Sequence, residues 1–166
     1  GLRPRSGSDL VVFSTKVAIR SLGRRVLASE ADTAAIDELL EALVTVTAPG
    51  LLELYGVGVD TAAILLAAAG DNPERLRSEA AWAHLCGVAP LEATSGKVVH
   101  RHRLNRGGNR QANHALWRIV FTRMRGDDRT RAYVERRLAE GRSKPEIMRV
   151  LKRYVAREVY KHLPRP

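Results

Sequence analysis

One stretch of this 166-residue chain gathers groups that could act on a phosphate: Ser95-Gly96-Lys97, then the run from His100 to Arg110. A serine hydroxyl is a poor nucleophile at its free pKa and needs a base or a charge-stabilised target. The fifteen residues after Ser95 supply five cations (Lys97, Arg101, Arg103, Arg106, Arg110) and two imidazoles (His100, His102). Clustered guanidiniums can stabilise the charge that develops on an attacked phosphodiester. Asn109 is placed to cap the helix that follows, whose N-terminal amides then face the basic loop. On spacing alone Thr94-Ser95-Gly96 is ordinary turn chemistry, and Gly107-Gly108 reads more simply as a flexible turn than as a phosphate cradle.

The charge distribution favours a polyanionic partner. Residues 1–92 hold 8 Lys+Arg against 12 Asp+Glu, whereas residues 93–126 hold 8 basic residues and no acid. Residues 127–166 add 12 basic and 6 acidic residues, and the whole chain carries a net charge of +10. Most cations after residue 92 are Arg, whose fork grips phosphate bidentately rather than merely neutralising it. A basic half joined to an acidic half predicts nucleic-acid contact confined to one side. The plainer alternative is a solvated basic face.

Composition excludes several classes. Hydrophobic content of 45% at a mean hydropathy of −0.23 is incompatible with a wholly disordered chain. One cysteine, Cys86, rules out a disulfide framework and a Cys-based zinc finger. No apolar run approaches the roughly 20 residues that cross a bilayer, so a soluble protein of a reducing compartment with no membrane partner is expected. A zinc site built from His100, His102, His114 and Cys86 is weaker than phosphate or base contact by the two loop imidazoles, and no metal site is predicted. Trp82 and Trp117 fall on helical faces and read as core rather than as base-stacking platforms. Tyr133, Tyr154 and Tyr160 lack the partners of a tyrosine recombinase and read as packing residues.

The elements that must position the basic loop are nearly all helical. Residues 1–8 read as a disordered lead-in. A helix begins at Leu10 behind Asp9, a second spans Ala31 to Val46, and together residues 9–48 form an arm able to pair with another copy, although four full heptads are not evident. Residues 49–126 hold the next unit. Its segment Leu51 to Leu66 has the form of a helix-hairpin-helix, with Gly56 and Gly58 supplying backbone freedom at the turn. Glu53, Asp60 and Asp71 surround that hairpin with no base nearby in sequence, which favours packing over phosphate binding. A helix from Pro73 to about Leu85 follows, then the polar stretch 94–109 with a short hairpin over 97–104, then a helix from Gln111 to Arg125. In residues 127–166, Asp127 or Asp128 caps a helix over 129–140, and Ser143 with Glu146 forms a capping box for a last helix ending near Leu163. The fold class is therefore mainly all-α, about seven helices.

The run GVAPLEATSGKVVHRHRLNRGGNRQANHALWRI resembles the signature of the transposases of insertion-sequence family one-hundred-and-ten (the 116/110/902 type). LYGVGVDTAAILLAAAGD upstream and RTRAYVERRLAEGRSKPEIMRVLKRYVAREVY downstream are similar to the same proteins, and the likeness covers about residues 30–163. It matches the C-terminal half of such an enzyme; the other half is a RuvC-like nuclease domain whose four carboxylates bind Mg²⁺. The resemblance implies that Ser95 attacks a DNA phosphodiester and forms a covalent phosphoserine link, with recombination guided in some members by an element-encoded RNA. It further implies Lys97, Arg101, Arg103, Arg106, Asn109 and Arg110 as nucleic-acid contacts, and an arm that dimerises or tetramerises as a coiled coil. Asn105 stands where many members carry Ser, which leaves Ser95 as the motif's hydroxyl. Cofactors are expected only with the RuvC-like half, so the isolated chain should bind nucleic acid without cleaving it. A cytoplasmic, nucleoid-associated bacterial protein is implied. The alternative is a non-enzymatic helix-hairpin-helix DNA- or RNA-binding protein in which Ser95 is only a turn residue.

Overall fold

A computed structural model of the chain describes residues 9–70, 73–93 and 102–164. The order is α1 (Leu10–Thr47), α2 (Pro49–Leu52), α3 (Val59–Ala69), a 3₁₀ turn (Pro73–Leu76), α4 (Glu79–Leu85), β1 (Leu91–Glu92), β2 (His102–Arg103), α5 (Arg110–Gly126), α6 (Asp128–Ala139) and α7 (Lys144–His162). The fold is mainly all-α, as its sequence predicts. It divides into two units, residues 1–41 and residues 42–166.

In the first unit the two expected arm helices are one. Nothing between Leu27 and Ala31 breaks a helix: the stretch holds no Gly or Pro, and Thr33 returns its hydroxyl to the Ser29 carbonyl at 2.7 Å. Gly23 stays inside the helix, at a cost of about 1 kcal/mol relative to Ala. Of the 38 residues of α1 only Val44 is buried, and that residue belongs to the second unit. The continuous helix carries a seven-residue spacing through Val12, Ile19 and Val26, and again through Leu22 and Ile36, with Thr15, Ser29 and Thr33 as polar members of the same seam. All five of these apolar side chains are exposed.

The second unit is a core wrapped around α5. Its inward stripe of Ala112, Ala115, Leu116, Ile119 and Val120 is fully buried against α3, α6 and α7. Trp82 from α4, Leu65 from α3 and Val155 and Val159 from α7 close the same cluster. Each large apolar side chain so buried stabilises the fold by about 1.5–3 kcal/mol. Thr122 lies exposed one step round the helix.

Local rules set the helix ends. The Asn109 side chain accepts from Ala112 N at 3.0 Å, the Asp127 carboxylate accepts from Thr130 N at 3.0 Å, and Ser143 and Glu146 form the expected box. The helix expected over 73–85 is instead a 3₁₀ turn and a separate α4. Ser78 starts afresh there, its hydroxyl accepting from Ala81 N at 3.1 Å while its own backbone is extended; Ala80 is correspondingly exposed.

Candidate nucleic-acid interface

The candidate site is assembled where α4, α5 and α7 meet the loop that leads into α5. The loop is held by three asparagines. Asn105 donates to the His84 carbonyl at 3.0 Å and accepts from Gly107 N at 3.0 Å, a local turn of the kind Asn favours. Asn109 caps α5 while its backbone N–H donates to the Leu85 carbonyl at 2.6 Å. Asn113, one turn into α5, donates to the carbonyls of Cys86 and Gly87 at 2.8 and 3.3 Å. The buried backbone at the end of α4 is thereby satisfied by side chains from the basic segment.

Two glycines make this closeness possible. Gly87 adopts φ +67, and a Cβ there would sit 3.3 Å from Gly108 Cα. A Cβ on Gly108 would collide with the backbone of Gly87. Gly108 is thus a packing glycine rather than part of a loose turn, a role that spacing did not reveal because its partner lies 21 residues away.

On this frame Arg106 and Arg110 stand exposed, with no ion pair to any described residue. Arg103 is exposed on β2, opposite Leu91 in the antiparallel pair; Glu92 faces His102. That pair closes the two ends of the interval containing Ser95, Lys97 and Arg101, and those three lie outside the described residues, as does the greater part of the hairpin expected over 97–104. Asn109, expected both as the cap and as a nucleic-acid contact, has its side-chain oxygen engaged as the cap of α5, next to Arg110.

Lys152 of α7 is the residue the sequence analysis missed. It is half-buried, donates to the Asn113 side-chain oxygen at 2.8 Å, and forms a wall shared by two open clefts of about 700 and 480 Å³. Arg106 is common to both clefts; Arg110 lines the larger and Arg149 the smaller. Burial, and next the nearby charge of Arg149, depress the Lys152 pKa below the ordinary lysine range. Its signal was present in the sequence as Arg149, Lys152, Arg153 and Arg157 along one flank of α7. Of these, Arg153 and Arg157 are taken by Glu79. Burial alone would raise the Glu79 pKa, but the two guanidiniums outweigh it and hold the carboxyl below its usual range.

The acid-free run 93–126 is not all binding surface. Arg118 pairs with Asp60 of α3, and Arg123 pairs with Glu158 at 2.7 Å and donates to the Tyr55 carbonyl at 2.8 Å. The turn between α2 and α3 therefore does have bases beside it, delivered by α5. Gly56 needs its left-handed backbone (φ +80), and a Cβ there would press the Ile119 carbonyl at 3.3 Å. Gly58 is extended (φ −100), not left-handed, and open space surrounds it; it caps α3 through its backbone, with Thr61 Oγ accepting from its N–H at 3.0 Å. Asp60 occupies the first turn of α3, the position where a phosphate would otherwise be favoured.

Trp82 is core, fully buried. Trp117 is not: it is 39% exposed, stacked between His114 and Phe121 on the outer face of α5. Tyr133 and Tyr154 pack edge to face, and the Tyr160 hydroxyl donates to the Leu76 carbonyl at 3.0 Å. Among the described residues no three His, Cys, Asp or Glu side chains are grouped as a metal site. Cys86 is buried with its thiol pushed up to about 12, which keeps it neutral and poorly suited to ligation.

A helical unit with a cation-walled cleft beside a two-stranded clasp defines the class of structure. The family described as "Transposase IS116/IS110/IS902 family" matches residues 48–135, more than half of the chain, and the chain belongs to that family. It is also similar to the "Insertion element IS110 uncharacterized 43.6 kDa protein" of Streptomyces coelicolor, at 34% identity over 146 residues. That alignment covers 87% of this chain and 35% of the relative, so the chain spans about a third of the length of the curated relative it matches.

Proposed function

We propose that this chain is the serine-bearing, strand-gripping part of a DNA transposase. The observation that carries the reading is the wall of Arg106, Arg110, Arg149 and Lys152 along two adjoining clefts, beside the β1–β2 clasp that bounds the interval holding Ser95. Guanidiniums with no acidic partner among the described residues, beside a loop fixed by hydrogen-bonded asparagines, suit a phosphodiester whose negative charge grows during attack. In this reading the Ser95 oxygen bonds to phosphorus, the bridging oxygen of the broken strand leaves with the bond's electron pair, and the hydroxyl proton passes to a base or to solvent. A phosphoserine link then stores the strand until a second oxygen displaces it. Lys97, Arg101 and Arg103 join the grip, and an element-encoded RNA directs the site.

The same reading makes the arm an oligomerisation element. Val12, Ile19 and Val26 with Leu22 and Ile36 give an exposed apolar seam on one continuous helix, as coiled-coil pairing requires. Carboxylates for a metal-assisted step would come from the remainder of a longer protein, so the 166-residue chain binds DNA without cutting it.

The test is Ser95→Ala in a full-length protein of this kind. Loss of the covalent protein–DNA adduct with DNA binding retained is the expected outcome, whereas an adduct that persists removes Ser95 as nucleophile. For the chain alone, strand transfer on supercoiled element DNA with Mg²⁺ would overturn its assignment as a binding half.

A further inference from the structure

Five exposed residues follow one another along the outer face of α5 at helical spacing: Arg110, His114, Trp117, Phe121 and Arg125. The three rings between the arginines are nearly parallel. His114 and Trp117 have centroids 5.6 Å apart at 17°, and Trp117 and Phe121 5.2 Å apart at 16°. The Arg125 guanidinium lies over Phe121, 5.6 Å from its centroid. His114 and Trp117 also line the larger cleft, so the ring ladder runs directly into the wall formed by Arg106, Arg110 and Lys152.

Two features of the ladder choose among occupants. Its stripe contains no aliphatic side chain, so the apolar surface it offers consists of flat ring faces. Its charged members are all cationic, at the ends of the stripe and in the adjoining cleft, and the α5 sequence contains no acid. Flat exposed π-faces beside cations are what a single nucleic-acid strand needs, its bases stacking on the rings while its phosphates meet the guanidiniums. A duplex hides its base faces and would use only the cations.

We propose that the His114–Trp117–Phe121 ladder is a stacking platform for unpaired DNA bases, continuous with the phosphate-gripping cleft. This rests on the reading of the chain as part of a DNA transposase and adds that the strand it holds is locally single-stranded. The experiment measures binding of the 166-residue chain to a labelled dT12, to a 12-base-pair duplex, to an abasic strand of equal phosphate number and to rU12. Trp117→Leu is expected to weaken binding to dT12 by about tenfold while leaving the duplex and abasic strands unchanged. Phe121→Leu should act in the same direction. Arg110→Ala should weaken binding to all four. Emission from Trp117, taken as the difference between wild type and Trp117→Leu, should be quenched by dT12 and not by the abasic strand.

Unchanged dT12 affinity in both aromatic variants, or equal losses on the abasic and duplex ligands, overturns the platform. If the Trp117 dependence occurs only with rU12, the surface is an RNA site and the assignment to DNA is wrong. Salt-sensitive duplex binding without any Trp117 effect removes this inference alone. No binding to any DNA removes the proposed function with it.

Discussion

The arm and α5 are both long helices with many apolar residues, yet they are stabilised in opposite ways. Within α1 the apolar side chains from Leu10 to Leu39 are exposed, and among its 38 residues burial is reserved for Val44 in the second unit. In α5, at 17 residues, five are buried and the remaining faces are divided between structural ion pairs and exposed rings and cations. An isolated helix draws little stability from propensity and depends on what covers its apolar face. The contrast identifies α5 as the organiser of the second unit, whereas the apolar side chains of α1 from Leu10 to Leu39 are covered by no described residue.

The largest effect should come from breaking the buried side of that contrast. Leu116→Ala is expected to destabilise the second unit by about 2–5 kcal/mol in chemical denaturation. Ile19→Ala should leave that transition where it is and weaken concentration-dependent association in sedimentation. If the two substitutions have equal effects on unfolding, the division into a packed unit and an unpartnered arm is wrong.

Next in size, Gly108→Ala should cost about 1–3 kcal/mol, because the added Cβ runs into the Gly87 backbone. Gly107→Ala, whose nearest contact would be Asn105 Oδ1 at 3.6 Å, should be close to neutral. Equal melting temperatures for the two variants would show that the close approach at Gly108 is not needed.

A smaller effect separates the arginines of α5 and its leading loop. Arg106→Ala and Arg110→Ala should each lower the slope of log affinity against log salt by about one. Arg118→Ala should leave that slope unaltered, since its guanidinium is already matched by Asp60. The Lys152 ammonium adds a pH dependence to the same assay. Its depressed pKa means that it loses its proton at a lower pH than an ordinary lysine, so DNA affinity should fall early as the solution becomes alkaline. Lys152→Arg should remove that early fall.

The smallest expected effect lies at a helix start. The Thr130 hydroxyl, which donates to the Asp127 carboxylate, is the main cause that holds the Asp127 pKa below its ordinary value, outweighing the effect of burial. A carboxyl depressed in the folded state contributes stability that is full above its unfolded pKa of about 4 and is lost as pH falls through the lower folded value. Asp127→Asn should therefore flatten the acid limb of a plot of melting temperature against pH by lowering the neutral plateau slightly, while the most acidic points stay close to wild type.

Much of this was readable along the chain because its cause is local. The Asn109, Asp127 and Ser143 caps each depend on residues within about four positions of one another. The helix spanning residues 27–31 was misread because a shift in apolar periodicity resembles a boundary when no partner fixes which face matters. Ser78 restarts a helix after the 3₁₀ turn, and no periodic pattern marks that stop. Trp117 shows the limit most clearly. Periodicity placed it on a helical face correctly but could not say that this face meets solvent, whereas Trp82 has the same residue type and helical setting and is buried completely.

By itself the amino-acid sequence determined the helical class, the helix caps, the segregation of positive charge after residue 92 and the resemblance to the transposase family. These follow from residue type and short-range geometry. Only the tertiary structure decided which cations are spent on structure and which remain for a ligand. Arg118, Arg123, Arg153 and Arg157 meet carboxylates 35 to 78 positions away, while Arg106 and Arg110 meet no described acid. The reason is physical: an ion pair forms where folding brings two charges within about 4 Å, and no count of charges along a chain contains that distance.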